Sequence, residues 1–419
     1  MPPSLNQTET PSIIWRDTAQ PKDYEKARTC RLFNGKLPER YPTAIMFAKT
    51  EHDVVDATKL ATERRLRVSI RAGGHSYAAW SVRDDALLLD LGELSELTLD
   101  KTTGIVSLSP SITGRDLDQY LVANGRAFPG GHCPDVAMGG YLLGGGMGWN
   151  TNNWGWACES VVAIDAVTAE GQLVRADANE NAELLWAARG GGPAFPGIVT
   201  RFHIQTRSAP KVMRSSVYVF PMTHYKTALS WALEIASSLE NTIELTAVGS
   251  YQEGIQSPCI MVILLAMGDD KDFVEELLRS VEDSRPDGAL SASVCKETSI
   301  QQEYDNKAKA FPVGPRYKVD NVFLRNDADV VSLLESPFNT LPTRQSMVLW
   351  TSMKPRSSRP LTNMALMGRH SIGSYLGEYD FQTRASDCWG AEQHQRLVEL
   401  RHKWDPDNRI CGCLGLDDI

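Results

Sequence analysis

The sequence has no apolar run able to cross a bilayer: the longest, Cys259 to Met267, is nine residues, about half of the roughly 18 to 20 that a spanning helix needs. It has no basic stripe either. Its 43 Lys plus Arg are scattered among 52 Asp plus Glu, for a net charge of -9, so neither nucleic acid nor a membrane is an expected partner. None of the cysteines, at 30, 133, 158, 259, 295, 388, 411 and 413, forms a C-x-x-C pair, which removes the usual zinc arrangements. Cys411 and Cys413 are close but have no second pair nearby, and no metal is expected. The start, MPPSLNQTETPSIIW, lacks a basic region followed by an apolar stretch, so the expected setting is intracellular, in the cytoplasm, where a disulfide framework does not form. Internal repeats and low-complexity tracts are absent.

What is present is an ordinary globular balance, 42% hydrophobic and 23% charged over 419 residues. That length suits two structural units and leaves room to bury a large cofactor. From Ala44 to Arg71 the pattern predicts strand, helix, strand: AIMFAK is apolar and short, Thr50 caps a helix with Asp53 at its third position, and VSIR resumes the sheet. The unit ends in RAGGHSY, where two glycines permit a sharp turn with consecutive N–H groups that can hold a phosphate. A helix follows from about 113 to 124. The next segment, Phe128 to Trp156, has nine glycines in 29 residues, too many for regular helix or strand. VVAIDAVTAEGQLVRAD then reads as a hairpin and ENAELLWAARGGG as a helix with a glycine stop.

Beyond about Ser208 long strands and amphipathic helices alternate, which predicts a separate antiparallel layer with helices on one face. The stretch 286–325 has no clear period. QSMVLWTSMK reads as a strand, and Ala391 to Trp404 as a helix stopped by Asp405-Pro406.

GGGMGW from Gly144 has the outline of a nicotinamide-binding fingerprint, with Asp165 about 20 residues on. Loop-forming Asn150, Thr151, Asn152 and Asn153 follow it where a helix is required, so that site is rejected. Taken singly, a histidine after Gly-Gly is a turn residue and a lone cysteine a small buried one. Taken together, RAGGHSY and PGGHCPDVAMGGYLLGGGMGW are specific. The combination resembles the berberine bridge enzyme-like branch of the vanillyl-alcohol oxidase flavoproteins, with a PCMH-type FAD-binding domain. ELLWAARGGGPAFPGIVTRF and RLVELRHKWDPDNRI are similar to that family's later motifs.

The resemblance implies an α+β fold of two domains, 1–207 with 381–419 for FAD and 208–380 for substrate. It implies FAD attached bicovalently, through His75 to the 8α-methyl group and through Cys133 to flavin C6. Arg71, Ala72, Gly73, Gly74, Ser76 and Tyr77 fall in the first cofactor turn, and Val136, Gly139, Gly140, Gly144, Gly145, Gly146 and Gly148 in the second. Ile198, Val199 and Asn408 fall in the two later motifs. Val136 matches a position on the flavin face where oxygen approaches, and valine there goes with oxidases. The tyrosine usual before the last helix is missing, since the chain reads Asp387-Cys388-Trp389-Gly390.

RHSIGSYLGEYDF offers substitutes, and strand alternation puts Tyr375 and Tyr379 on one face as candidate bases, with His370, Glu378 and Asp380 as reserves. The implied reaction takes a hydride from an alcohol or amine carbon of a small secondary-metabolite-like substrate, with oxygen reoxidising the flavin to give hydrogen peroxide. The alternatives are a carbohydrate oxidase and a non-catalytic flavin-binding protein.

Overall fold

The computed structural model describes residues 12–325, 327–353, 374–378 and 388–413. Strand Ala44–Phe47, helix Glu51–Arg64 and strand Arg67–Arg71 follow one another as the sequence predicts. The Thr50 hydroxyl accepts from the Asp53 amide at 3.2 Å while the Asp53 carboxylate accepts from the Thr50 amide at 2.9 Å. Two donors that a helix end leaves over are thereby satisfied. In the four-stranded sheet that results, Ala86–Asp90 runs parallel between Ala44–Phe47 and Arg67–Arg71, and Ile13–Trp15 is antiparallel at the edge. Ala86–Asp90 is buried at all five positions. A strand covered on both faces has no alternation, so periodicity does not reveal it.

A second, antiparallel sheet has the order Leu97–Asp100, Ile105–Leu108, Gly197–Gln205, Val161–Thr168, Leu173–Ala176. Its last pair is the predicted hairpin, turning through Gly171 at φ 76°. The glycine-dense segment differs from expectation, because Met138–Leu143 is helical. A Cβ on Gly139 would fall 2.8 Å from the Pro110 side chain and 3.0 Å from that of Ala72. Glycine here permits a helix to lie close to two loops instead of breaking it.

The third sheet, also antiparallel, has the order Ser291–Glu297, Val212–Pro221, Pro258–Gly268, Ile243–Tyr251, Val348–Thr351. Helices Tyr225–Ser238, Lys271–Asp283 and Val330–Asn339 cover one face, over Tyr218, Phe220, Leu245 and Leu264. Val330–Asn339 has no sequence expectation behind it, since Pro337 lies inside it. On the other face, among the described residues, Trp149 and Tyr304 pack over the end formed by Met213, Leu265 and Met267. By strand alternation Ser215, Val217, Thr246, Met261 and Ile263 share that face, and each is only half-buried.

Helix Ala391–Trp404 returns the chain to the first two sheets. The buried Asp405 carboxylate accepts from the amides of Arg409 at 2.6 Å and Ile410 at 2.8 Å. Val68 then donates to the Arg409 carbonyl and accepts from Cys411, both at 2.8 Å, so the tail is pinned along strand Arg67–Arg71. Helices and mixed and antiparallel sheets make this an α+β fold. Among the described residues no helix is long and apolar enough to cross a membrane, and no His, Cys, Asp or Glu cluster is arranged for a metal ion.

Candidate functional site

Strand Arg67–Arg71 delivers the first glycine turn. Gly74 adopts φ 74°, a conformation other residues enter only with strain. The amides of Gly73, Gly74, His75 and Ser76 meet no acceptor among the described residues. Successive orphan donors form an anion-holding concavity, the kind a diphosphate or a flavin oxygen fills. The His75 ring stacks on Phe33 at 3.8 Å and 18°, and Phe33 stacks in turn on Tyr317 at 5.2 Å. Tyr77 meets Phe33 and Tyr317 edge-on. Burial lowers the His75 pKa to about 4, so at neutral pH the imidazole is uncharged and keeps a lone pair for bonding.

Arg71 needs correction as a cofactor side chain. Its guanidinium is fully buried, with Nε 2.6 Å from Asp90 Oδ2, and it donates to the carbonyls of Arg28 at 2.7 Å and Ala27 at 2.8 Å. It ties helix Pro21–Thr29 to the first sheet. Only its backbone remains for a cofactor.

The second glycine turn lies against the first. A Cβ on Gly73 would fall 2.5 Å from that of Ala137, so the absence of that atom lets the turns touch. Cys133 is half-buried. It is near enough to raise the pKa of both Tyr304 and Tyr317, though burial is the larger cause for each. Tyr317 belongs to the His75 stack, against Phe33 and Tyr77. Val136 is half-buried against the core of the second sheet, and its carbonyl accepts from the Gly114 amide at 2.9 Å. Gly145 and Gly146 have φ 102° and 76°. Gly140 is exposed with open space where a side chain would be, Gly144 is sealed against its own helix turn, and Gly148 fits under Tyr141 and Pro129.

Three further expectations change. Ile198 and Val199 have side chains inside the two cores, which leaves their backbone as the only part a ligand can meet. Asn408, at φ 50°, gives its side-chain oxygen to Arg401 at 2.9 Å and Arg67 at 3.4 Å. Its side chain therefore belongs to the tail latch. Tyr375 lies not in a strand but just before the 3-10 turn Leu376–Glu378, so strand alternation with Tyr379 does not apply. Tyr379, Asp380 and His370 lie outside the described residues, as does the side chain of Glu378.

The structure nonetheless brings Tyr375 to the glycine segment. Its hydroxyl oxygen accepts from the Met147 amide at 3.2 Å, and its ring tilts over Trp156 at 6.0 Å. Asn321 fixes its backbone, accepting from the Tyr375 amide at 2.7 Å and donating to its carbonyl at 3.0 Å. Phe33, Tyr304 and Tyr317 also join the site. Periodicity gave no sign of them, and Tyr304 and Tyr317 come from the stretch with no clear period.

A sequence model described as an FAD binding domain matches residues 42–177. Over nearly its whole length the chain is 35% identical to the FAD-linked oxidoreductase janO of Penicillium janthinellum, the match covering 96% of this chain and 97% of that one. The chain belongs to the FAD-linked oxidoreductases. This oxidoreductase is also 34% identical to the xylooligosaccharide oxidase of Thermothelomyces thermophilus, over 51% of its own length and 41% of that protein's. The solved structure of BBE-like 1 from Physcomitrella patens superposes with TM-score 0.81 at 17% identity, covering 98% of this chain and 97% of that one, which is a likeness of fold. The enzyme binds FAD, and the paired glycine turns with their orphan amides fit that cofactor.

Proposed function

We propose that this enzyme is an oxidase holding FAD through His75 and Cys133, with the FAD domain formed by 1–207 and 381–419 and the substrate domain by 208–380. The observation that carries the reading is the convergence of the two glycine turns, in contact at Gly73 and Ala137, with the His75 ring stacked on Phe33 beside them. Bound FAD supplies the acceptor for a hydride from an alcohol or amine carbon and passes the electrons to oxygen, giving hydrogen peroxide. Neutral His75 offers its lone pair for the 8α bond. Tyr375 is the candidate to receive the substrate's proton. The Met147 amide aimed at its oxygen orients the phenol and stabilises negative charge there. Val136, between Cys133 and the helix Met138–Leu143, lines the approach of oxygen.

The open sheet face favours a substrate rich in hydrocarbon. Val217, Met261 and Ile263 stand on it with Ser215 and Thr246, whereas Tyr218, Phe220, Tyr251 and Trp350 alternate to the opposite side. A sugar is gripped by aromatic platforms and many hydrogen bonds, and these strands turn no aromatic ring toward it. The test is peroxide release by the purified enzyme with hydrophobic benzylic alcohols and amines, and with cello- and xylo-oligosaccharides. Turnover of the former group supports the reading; turnover of oligosaccharides alone replaces it by the carbohydrate-oxidase alternative, and no turnover in a protein carrying FAD favours a binding role.

A further inference from the structure

One carboxylate on the open sheet face has no part in the reaction just described. Glu244 stands in strand Ile243–Tyr251, on the face shared with Thr246. Its Oε1 accepts from the Asn150 amide at 2.5 Å, and its Oε2 stands 3.3 Å from His132 Nε2. The Glu244 and His132 side chains are 16% and 31% exposed, so the contact is shielded more than a surface pair.

His132 immediately precedes Cys133. Its ring leans on Trp149 at 4.2 Å, and Trp149 immediately precedes Asn150. The same two stretches already meet where the Trp149 amide donates to the Gly130 carbonyl at 2.9 Å and where Gly131 pairs with Gly148. One carboxylate from the third sheet therefore closes the cysteine turn from both sides. Asn150 is held at φ 59°, and its buried side-chain oxygen has no partner among the described residues. Without Glu244 the Asn150 amide loses its acceptor too.

We propose that Glu244 is a positioning residue for flavin attachment, holding the His132–Cys133 turn so that the Cys133 sulfur meets the flavin ring at C6. The inference rests on the Cys133 linkage put forward above. In that linkage the thiol gives up its proton, sulfur replaces the hydrogen on the ring carbon, and that hydrogen leaves as a proton. The two electrons released pass to dioxygen, which with the two protons becomes hydrogen peroxide. Bond formation of this kind depends on placement, a shift of about 1 Å costing on the order of 10²-fold. His75 is braced separately by Phe33 and does not depend on Glu244.

The test is mass mapping of FAD on the His75 and Cys133 peptides of the purified holoenzyme and of Glu244→Ala and Glu244→Gln, each denatured and digested. The wild type is expected to carry flavin on both peptides. Glu244→Ala should lower occupancy at Cys133 by roughly tenfold or more and leave His75 labelled as in the wild type. Glu244→Gln keeps one acceptor and the same length, and should fall between. Wild-type labelling of Cys133 in Glu244→Ala overturns the proposal, as does an equal loss at both peptides, which is what general loosening would give. An unlabelled Cys133 in the wild type instead removes the linkage itself. Should Glu244→Ala not fold, Glu244→Gln and His132→Ala report the same ratio, and unchanged labelling in both overturns the role.

Discussion

His75 and Cys133 sit in glycine turns that touch, yet the two turns are held in different ways. The first leaves a buried strand, and its histidine is clamped by a ring stack in which Phe33 is the direct partner at 3.8 Å. The second is tied by backbone hydrogen bonds to the stretches around 112–115 and 148–149, and meets Glu244, 112 positions from His132 along the chain. Burial already keeps the His75 imidazole neutral, whereas the placement of Cys133, on the role proposed for Glu244, depends on the third sheet. A nucleophile prepared by its own turn and one prepared by a neighbouring layer should respond differently to substitution.

The largest expected effect comes from removing both anchors. His75→Ala and Cys133→Ala should each leave one bond, so acid-precipitated protein stays yellow; the double variant should release all its flavin to the supernatant. Colour retained in the denatured double variant would mean that a third residue carries the cofactor.

Next is Arg71→Met, which leaves the buried Asp90 carboxylate without its main partner and should cost about 3 kcal/mol or more. Chemical denaturation measures that loss. Flavin per folded molecule should stay the same, because the Arg71 side chain belongs to the scaffold; a selective loss of flavin at unchanged stability would return it to the cofactor site.

Tyr375→Phe keeps the ring over Trp156 and removes only the hydroxyl. Reduction of the flavin by substrate should slow by roughly 10²-fold with little change in melting temperature. A wild-type rate of anaerobic reduction would move the base elsewhere, first to Tyr379.

The pH response separates the two anchors without mutation. The His75 pKa is lowered to about 4 in the folded protein against about 6.5 in an unfolded chain. The unfolded state therefore binds more protons between these values. The His75 contribution to stability is complete above about 6.5 and is lost as pH falls toward 4. Formation of the His75 bond, on adding FAD to the flavin-free protein, should accordingly proceed from neutrality down to about pH 5. A midpoint near 6.5 for the His75 peptide would show that burial is not protecting the imidazole. The smallest effect belongs to Val136→Ile, one methylene added beside a packed core: reoxidation by oxygen in stopped flow should slow a few-fold, with reduction unchanged, and equal oxygen rates would remove Val136 from the oxygen path.

Much of the first turn was legible because its chemistry is local. Gly74 at a positive φ, Thr50 with Asp53 and the apolar spacing of Glu51–Arg64 all act within a few residues, and such signals survive in a bare sequence. The second turn was legible as a motif, but its local structure only as composition. Its glycines suggest irregular chain, yet Gly139 serves a helix by letting it approach Ala72 and Pro110, a requirement set by residues far along the sequence. The same holds for Tyr375, read in a strand but fixed by Asn321 before a 3-10 turn, and for Glu244, whose alternation in a strand says which face it takes but not what meets it there. Arg71, Ile198, Val199 and Asn408 fall within recognisable motifs, but burial and tail contacts, invisible in the sequence, assign their side chains to the scaffold.

The most direct measurement of the central claim is mass mapping of the wild-type enzyme after denaturation and digestion. The expected result is the mass of FAD on the peptide containing His75 and on the peptide containing Cys133, joined as one cross-linked species when neither bond is cleaved. Unmodified masses for both peptides, with all flavin recovered free in solution, would contradict it.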